Sequence, residues 1–163
     1  MRGIYLEAID RAEHHVYITQ ATHPDREILH ALISAARRGV DVRVLIPEYS
    51  NHILADWAAR TYYSRLLEAG VSIWLFQDAM VHAKTMTVDG RWTTVGTTNI
   101  DRLSMTGNFE INLELYDDEL AAQMEKIFAN DLGNCRADAR GVGAARDAPP
   151  RRRATSQPLG PLL

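Results

Sequence analysis

Cysteine is nearly missing from this chain. Cys135 is the single one in 163 residues, so no intramolecular disulfide can form and the composition suggests a reducing compartment. Long apolar runs are missing too: none approaches the roughly 20 residues of a membrane-spanning helix, and no signal peptide opens the chain. Membrane contact is therefore expected to be peripheral, from the cytoplasmic side or through a partner. Basic charge is scarce over most of the length. The net charge is −3, but residues 136–163 hold six arginines against two aspartates, leaving −7 on the first 135 residues. Proteins that bind nucleic acid without sequence preference neutralise many phosphates and have a basic body; this acidic body argues against a nuclease. Internal repeats are absent as well, so any motif occurs once.

What is present suits one globular domain. A hydrophobic content of 46% over 163 residues is enough for a buried core. The spacing predicts a short helix over 5–13 with Ile4, Ala8 and Ile9 apolar, a strand over 15–19, and a helix over 26–38 opened by Pro24-Asp25 and closed by Gly39. A strand over 40–46, a helix over about 53–69 and a strand over 71–76 follow. That alternation argues for βαβ units on a parallel sheet. The second half reads as a hairpin, 83–88 and 91–95 around Asp89-Gly90, then a strand over 111–116 and a helix from Asp117 or Asp118 to about 132. From Arg136 the chain is Ala, Arg, Gly and Pro without periodicity. The expected organisation is thus an α/β domain over 1–135, a mixed and mostly parallel sheet flanked by helices, and a disordered basic tail over 136–163.

The chemistry concentrates around His82-Ala83-Lys84, with Asp89 behind it: H-x-K-x4-D. A histidine and a lysine two apart on a strand would project from one face, setting an imidazole beside a fixed cation. A phosphodiester resists attack because its oxygens are anionic and its leaving alkoxide is poor, and a covalent route splits the problem into two steps. Neutral imidazole suits the attack near pH 7. Lys84 supplies charge to the phosphoryl oxygens, and Asn99, in Gly96-Thr97-Thr98-Asn99, adds amide donors. Asp89 sits about 23 Å from His82 if the strand is straight, so its Asp-Gly position suits a turn or a structural ion pair. Glu110, in Asn108-Phe109-Glu110, is the better candidate to hold the His82 tautomer. Of the remaining histidines only His23, in the loop after the first strand, is expected to face a ligand.

Taken together, H-x-K-x4-D with Gly96, Asn99, Asn108 and Glu110 in order resembles the phospholipase D superfamily signature. The segment from Ala35 to Pro47, A-A-R-R-G-V-D-V-R-V-L-I-P, with Leu66-Leu67-Glu68-Ala69-Gly70-Val71, is similar to the C-terminal half of bacterial cardiolipin synthases. The likeness runs from about Ile4 to Leu132. It implies a phosphatidyltransferase or phosphodiesterase working through a phosphohistidine, with catalytic residues His82, Lys84, Asp89 and Glu110 and phosphate contacts from Lys84, Asn99 and Thr97. The implied substrates are a phosphatidylglycerol-like phospholipid and an alcohol acceptor; no metal ion or organic cofactor is implied.

Three departures stand out. Thr97 holds a position usually serine, and Leu103 one usually arginine. Thr19 to Pro24 replaces a turn that usually contains Pro-Tyr-Phe. The family also needs two motifs, and this chain has one. The second is expected from a symmetry mate, as in small single-motif endonucleases, or from a missing half, which the start at Met1 near where a synthase's second half would begin, and the closer match to synthases than to those nucleases, favour. An inactive phosphate-binding module is the remaining alternative.

Overall fold

The computed structural model describes residues 1–48 and 62–137. In chain order the elements are α1 (Arg2–Asp10), β1 (His15–Thr19), α2 (Arg26–Arg37), β2 (Asp41–Pro47), α3 (helical over 62–68), β3 (Ser72–Phe76), β4 (Thr85–Val88), β5 (Trp92–Gly96), α4 (Arg102–Thr106), β6 (Asn112–Tyr116), α5 (Asp118–Leu132) and β7 (Cys135–Ala137). The earlier part of the helix expected from about 53, with Trp57 on it, and the tail beyond 137 lie outside the described residues.

One seven-stranded sheet, ordered β6-β5-β4-β1-β2-β3-β7, carries the domain. β1, β2 and β3 run parallel, as their βαβ spacing predicts. The other four pairings, β1–β4, β4–β5, β5–β6 and β3–β7, are antiparallel. The sheet is mixed as expected, but its parallel part is confined to three neighbouring strands; in the second half only the β4–β5 connection is too short for anything but an antiparallel pair.

Alternation along the strands splits the core between two faces. Val16, Ile18, Val42, Val44, Met86, Val88 and Trp92 pack with Tyr5 and Ile9 of α1 and with Ile28, Leu29 and Leu32 of α2. A fully buried Ile or Leu contributes about 1.5–3 kcal/mol relative to exposure, so this layer dominates stability. α1 starts earlier than its periodicity suggested: Tyr5 is buried and meets Trp92 edge-on at 6.2 Å, whereas Ile4 is exposed. α5 covers the other face through Phe128, stacked on Tyr17 at 5.1 Å, and Glu125, 2.6 Å from His15 Nε2.

Side chains at the helix starts satisfy backbone donors that no helical carbonyl reaches. Asp25 accepts from Glu27 N, and Asp117 from Leu120 N. The β4–β5 connection has three residues, because Val88 pairs with Trp92, and Asp89 and Gly90 both take positive φ. β7 was not anticipated, and it runs through Ala137, two residues past the expected domain boundary. Beside it the Cys135 thiol is pushed up to about 11 by burial and by Asp131, which leaves it unreactive near neutral pH.

Candidate active site

The motif residues gather where β1 and β2 end and β4 begins, the end of an α/β sheet at which ligands bind. β4 starts at Thr85, so His82 and Lys84 lie just before the strand instead of on one of its faces. Their environments differ sharply. The His82 side chain is exposed, while Lys84 is only 6% exposed. Lys84 Nζ donates to the carbonyl oxygen of His82 at 2.9 Å. Burial lowers the Lys84 ammonium from its ordinary range, and the carboxylates of Glu110 and Asp101 oppose that fall. A half-desolvated cation with donors to spare is suited to anionic phosphoryl oxygens.

β5 delivers the second segment. Gly96 N donates to Lys84 O at 3.2 Å, which brings the Gly96-Thr97-Thr98-Asn99 run alongside the lysine. A Cβ at Gly96 would collide with the Asn112 amide and the Ile111 carbonyl; only glycine allows this approach. Asn112 fixes the junction: its oxygen accepts from Thr98 N, and its amide donates to Tyr5 OH and Thr94 Oγ1. Nothing in its sequence context signalled that role, which depends on residues far apart in the chain.

Thr97 and Glu110 form a pair. The Thr97 hydroxyl donates to Glu110 Oε2 at 2.5 Å and accepts from Ile111 N at 3.0 Å, and Asn108 Nδ2 donates to Glu110 Oε1 at 3.3 Å. The Thr97 hydroxyl holds Glu110 below the usual carboxylate range, with smaller help from Asn108, Ser104 and Lys84 against partial desolvation. Among the described residues, no hydrogen bond joins Glu110 to the His82 ring. The carboxylate therefore acts on Lys84 and on the Thr97 loop, and the exposed Thr97 has its hydroxyl engaged with protein groups.

Asn99 has its carboxamide oxygen buried without a partner. Gln20, immediately after β1, is fully buried and neither of its amide atoms is paired. Unpaired buried polar groups are costly, about 1–3 kcal/mol each, and concentrate at functional sites. Nothing in the sequence singles out Gln20, because an isolated glutamine after a strand has no signature. Asp101 was also missed, although it follows Asn99 by two and caps α4 through Ser104 N. His23 stacks on Tyr62 at 5.3 Å, so it joins the loop after β1 to α3.

Asp89 is elsewhere. It sits at the far end of β4, where Oδ1 accepts from His14 N and His15 N and Oδ2 from Glu13 N, all at 2.8 Å. Burial would raise its carboxyl, but the three N–H donors outweigh that and hold it below its ordinary value. This motif residue ties the β4–β5 turn to the entry of β1, as its Asp-Gly position suggested.

Comparison with known proteins follows the same outline. The family model described as cardiolipin synthase, PLD-like domain, matches residues 5–132. A cardiolipin synthase of Clostridium perfringens is 38% identical over 132 residues, which is 80% of this chain and 28% of that protein. Cardiolipin synthase A of Yersinia pseudotuberculosis is 39% identical over 104 residues, 64% of this chain and 21% of that protein. The chain thus spans under a third of the length of these curated relatives. Among solved structures, Nuc of Salmonella typhimurium, a phospholipase D family member, superposes with a TM-score of 0.76 at 25% identity, covering 85% of this chain and 91% of that one. Phosphatidylserine synthase of Haemophilus influenzae superposes with a TM-score of 0.73 at 16% identity over 85% of this chain and 37% of that one, a likeness of fold.

Proposed function

The chain belongs to the phospholipase D-like domain family of cardiolipin synthases, and from that premise we propose that it supplies one half of a phosphatidyltransferase active site. The observation that carries this reading is the buried Lys84 ammonium bonded to the backbone of His82, with Glu110 and Asp101 acting on its charge. Such a cation can stabilise the negative charge that builds on a phosphoryl group under attack.

The reaction needs two imidazoles. One attacks phosphorus, so that an N–P bond forms and the P–O bond to the leaving alcohol breaks. The other, protonated, gives that alkoxide its proton. The acceptor hydroxyl then passes its proton to the same base and attacks phosphorus, and the N–P bond breaks to restore the first imidazole. His82 fills one of these roles, and its counterpart fills the other from a second motif. With a phosphatidylglycerol-like donor the released alcohol is glycerol, and the phosphatidyl group moves to an alcohol acceptor. Lys84 and Asn99 hold the phosphoryl oxygens, and Glu110 sets the charge state of Lys84 and the posture of Thr97.

The exposed apolar surface around edge strand β6 supports the need for a second unit. Val95, Phe109, Ile111, Leu113 and Tyr116 are all exposed there, and an unpaired apolar edge is a natural assembly surface. No described helix is long and apolar enough to cross a membrane. A second reading, a homodimeric phosphodiesterase acting on nucleic acid, is favoured by the 91% coverage of Nuc. One assay separates the two: release of glycerol from phosphatidylglycerol vesicles against cleavage of DNA, with wild type and His82→Asn in parallel. Transfer or hydrolysis of lipid that depends on His82 supports the first reading; DNA cleavage with no lipid turnover would replace it by the second.

A further inference from the structure

A cleft of about 500 Å³ lies on the outer face of α2 and α3, lined by His30, Ile33, Arg37, Arg38, Arg65 and Glu68 among others. It is separate from the site at the strand ends. α2 starts near that site, where Asp25 N donates to Ile100 O, and carries Arg37 at its other end, about 17 Å away along a twelve-residue helix.

The charges in this cleft are unbalanced. None of the three guanidinium groups forms an ion pair with a carboxylate among the described residues; Arg2, Arg11, Arg43 and Arg136 do, and Arg26, Arg91 and Arg102, which do not, lie outside the cleft. Arg38 is held in place by neutral groups, donating to the carbonyls of Ile9 and Asp10 at 3.0 and 3.1 Å and to Ser34 Oγ. Arg65 lies 3.1 Å from His30 Nε2. Because a guanidinium can only donate, that ring nitrogen is the acceptor. Among the described residues, three permanent cations thus surround the opening against the one carboxylate of Glu68, on a body whose first 135 residues carry −7. Guanidinium forks match phosphate oxygens in pairs, and Ile33 gives the opening an apolar wall.

We propose that the α2–α3 cleft, built on Arg37, Arg38 and Arg65, is a docking site for the phosphate headgroup of an anionic phospholipid and seats this face on the bilayer. Lipid is named as the source of the phosphate because the proposal rests on the phosphatidyltransferase reading in that one respect. Three guanidinium groups around one cleft on an acidic body do not offer the run of cations that duplex DNA requires. The His23–Tyr62 stack ties α3, which carries Arg65, to the loop bordering the active site.

Cosedimentation of the full chain with vesicles tests the site without any turnover. Wild type should bind phosphatidylcholine vesicles containing phosphatidylglycerol, not phosphatidylcholine alone, and bind more weakly as salt rises. Arg37→Gln with Arg65→Gln should weaken binding roughly 10- to 30-fold at unchanged Tm. Glu68→Lys should strengthen it, which keeps the test decisive if the double variant fails to fold. His82→Asn should retain vesicle binding although it abolishes chemistry, so loss of the docking site and loss of the catalytic reading give different results. The proposal is overturned by binding that ignores phosphatidylglycerol, by arginine variants that bind as wild type does, or by a Glu68→Lys chain that gains nothing. Soluble glycerol phosphate binding as tightly as vesicles, or duplex DNA showing the same arginine dependence, would overturn the lipid assignment.

Discussion

The Lys84 ammonium donates to the carbonyl oxygen of His82 at 2.9 Å, so the two halves of the H-x-K pair are joined through backbone while their side chains occupy different environments. The imidazole is exposed to a reactant, and the cation sits in the wall beneath it. A buried lysine without a direct carboxylate partner is a cost to folding that function explains. Lys84→Met should therefore lower lipid turnover by about 10²–10³-fold while Tm stays level or rises. Paired kinetics and thermal melts check this; a large drop in Tm would mean that the lysine is structural.

Glu110 opposes the burial-driven fall of the Lys84 pKa. Replacing it by glutamine removes that support, so Lys84 should lose its proton at a lower pH. The falling basic limb of the pH profile for turnover, or for binding of a phosphate ester, should move towards neutrality in Glu110→Gln. A limb that stays where it was would separate Glu110 from the cation.

Asp89 predicts a stability effect with a definite sign. Its folded carboxyl lies below the ordinary value because three N–H donors favour the anion. The contribution is fully present above the unfolded pKa of about 3.9 and fades as pH falls through the lower folded one. Asp89→Asn should cost about 1–3 kcal/mol at neutral pH. Denaturant melts should then show the gap to wild type narrowing below about pH 4. Turnover by the folded fraction should be little changed, since the site lies at the other end of β4.

Gly96 is fixed by approach instead of by φ. A methyl group there meets the Ile111 carbonyl and the Asn112 amide, so Gly96→Ala must push β6 away from β5 or lose the Asn112 bonds. Overpacking of this kind costs about 1–3 kcal/mol, measurable by denaturant unfolding, and activity should fall along with stability.

Much of this was legible in the sequence because it was local. The β1–α2–β2 and α3–β3 periodicities, the Asp25 and Asp117 caps and the Asp89-Gly90 turn each depend on a few adjacent residues. The motif order also pointed to Lys84 and Glu110, whose charges act on each other in the structure. What could not be read was pairing across distance. Glu110 was assigned to His82 on chain order, but Thr97 competes for it once β5 and β6 lie side by side. The backbone donors for Asp89 come from residues more than seventy positions earlier. β7 has only three residues, too few for any alternation to register, and Gln20 acquires meaning only through its burial.

The measurement that bears most directly on the central claim is mass spectrometry of the chain quenched during reaction with phosphatidylglycerol, as purified and mixed with a polypeptide carrying a second motif. The account predicts a phosphatidyl adduct on His82 or on the partner's motif histidine, none in the mixture when both are replaced by asparagine, and no lipid consumed in that case. Lipid consumed without a histidine adduct, or by the doubly substituted mixture, would contradict it.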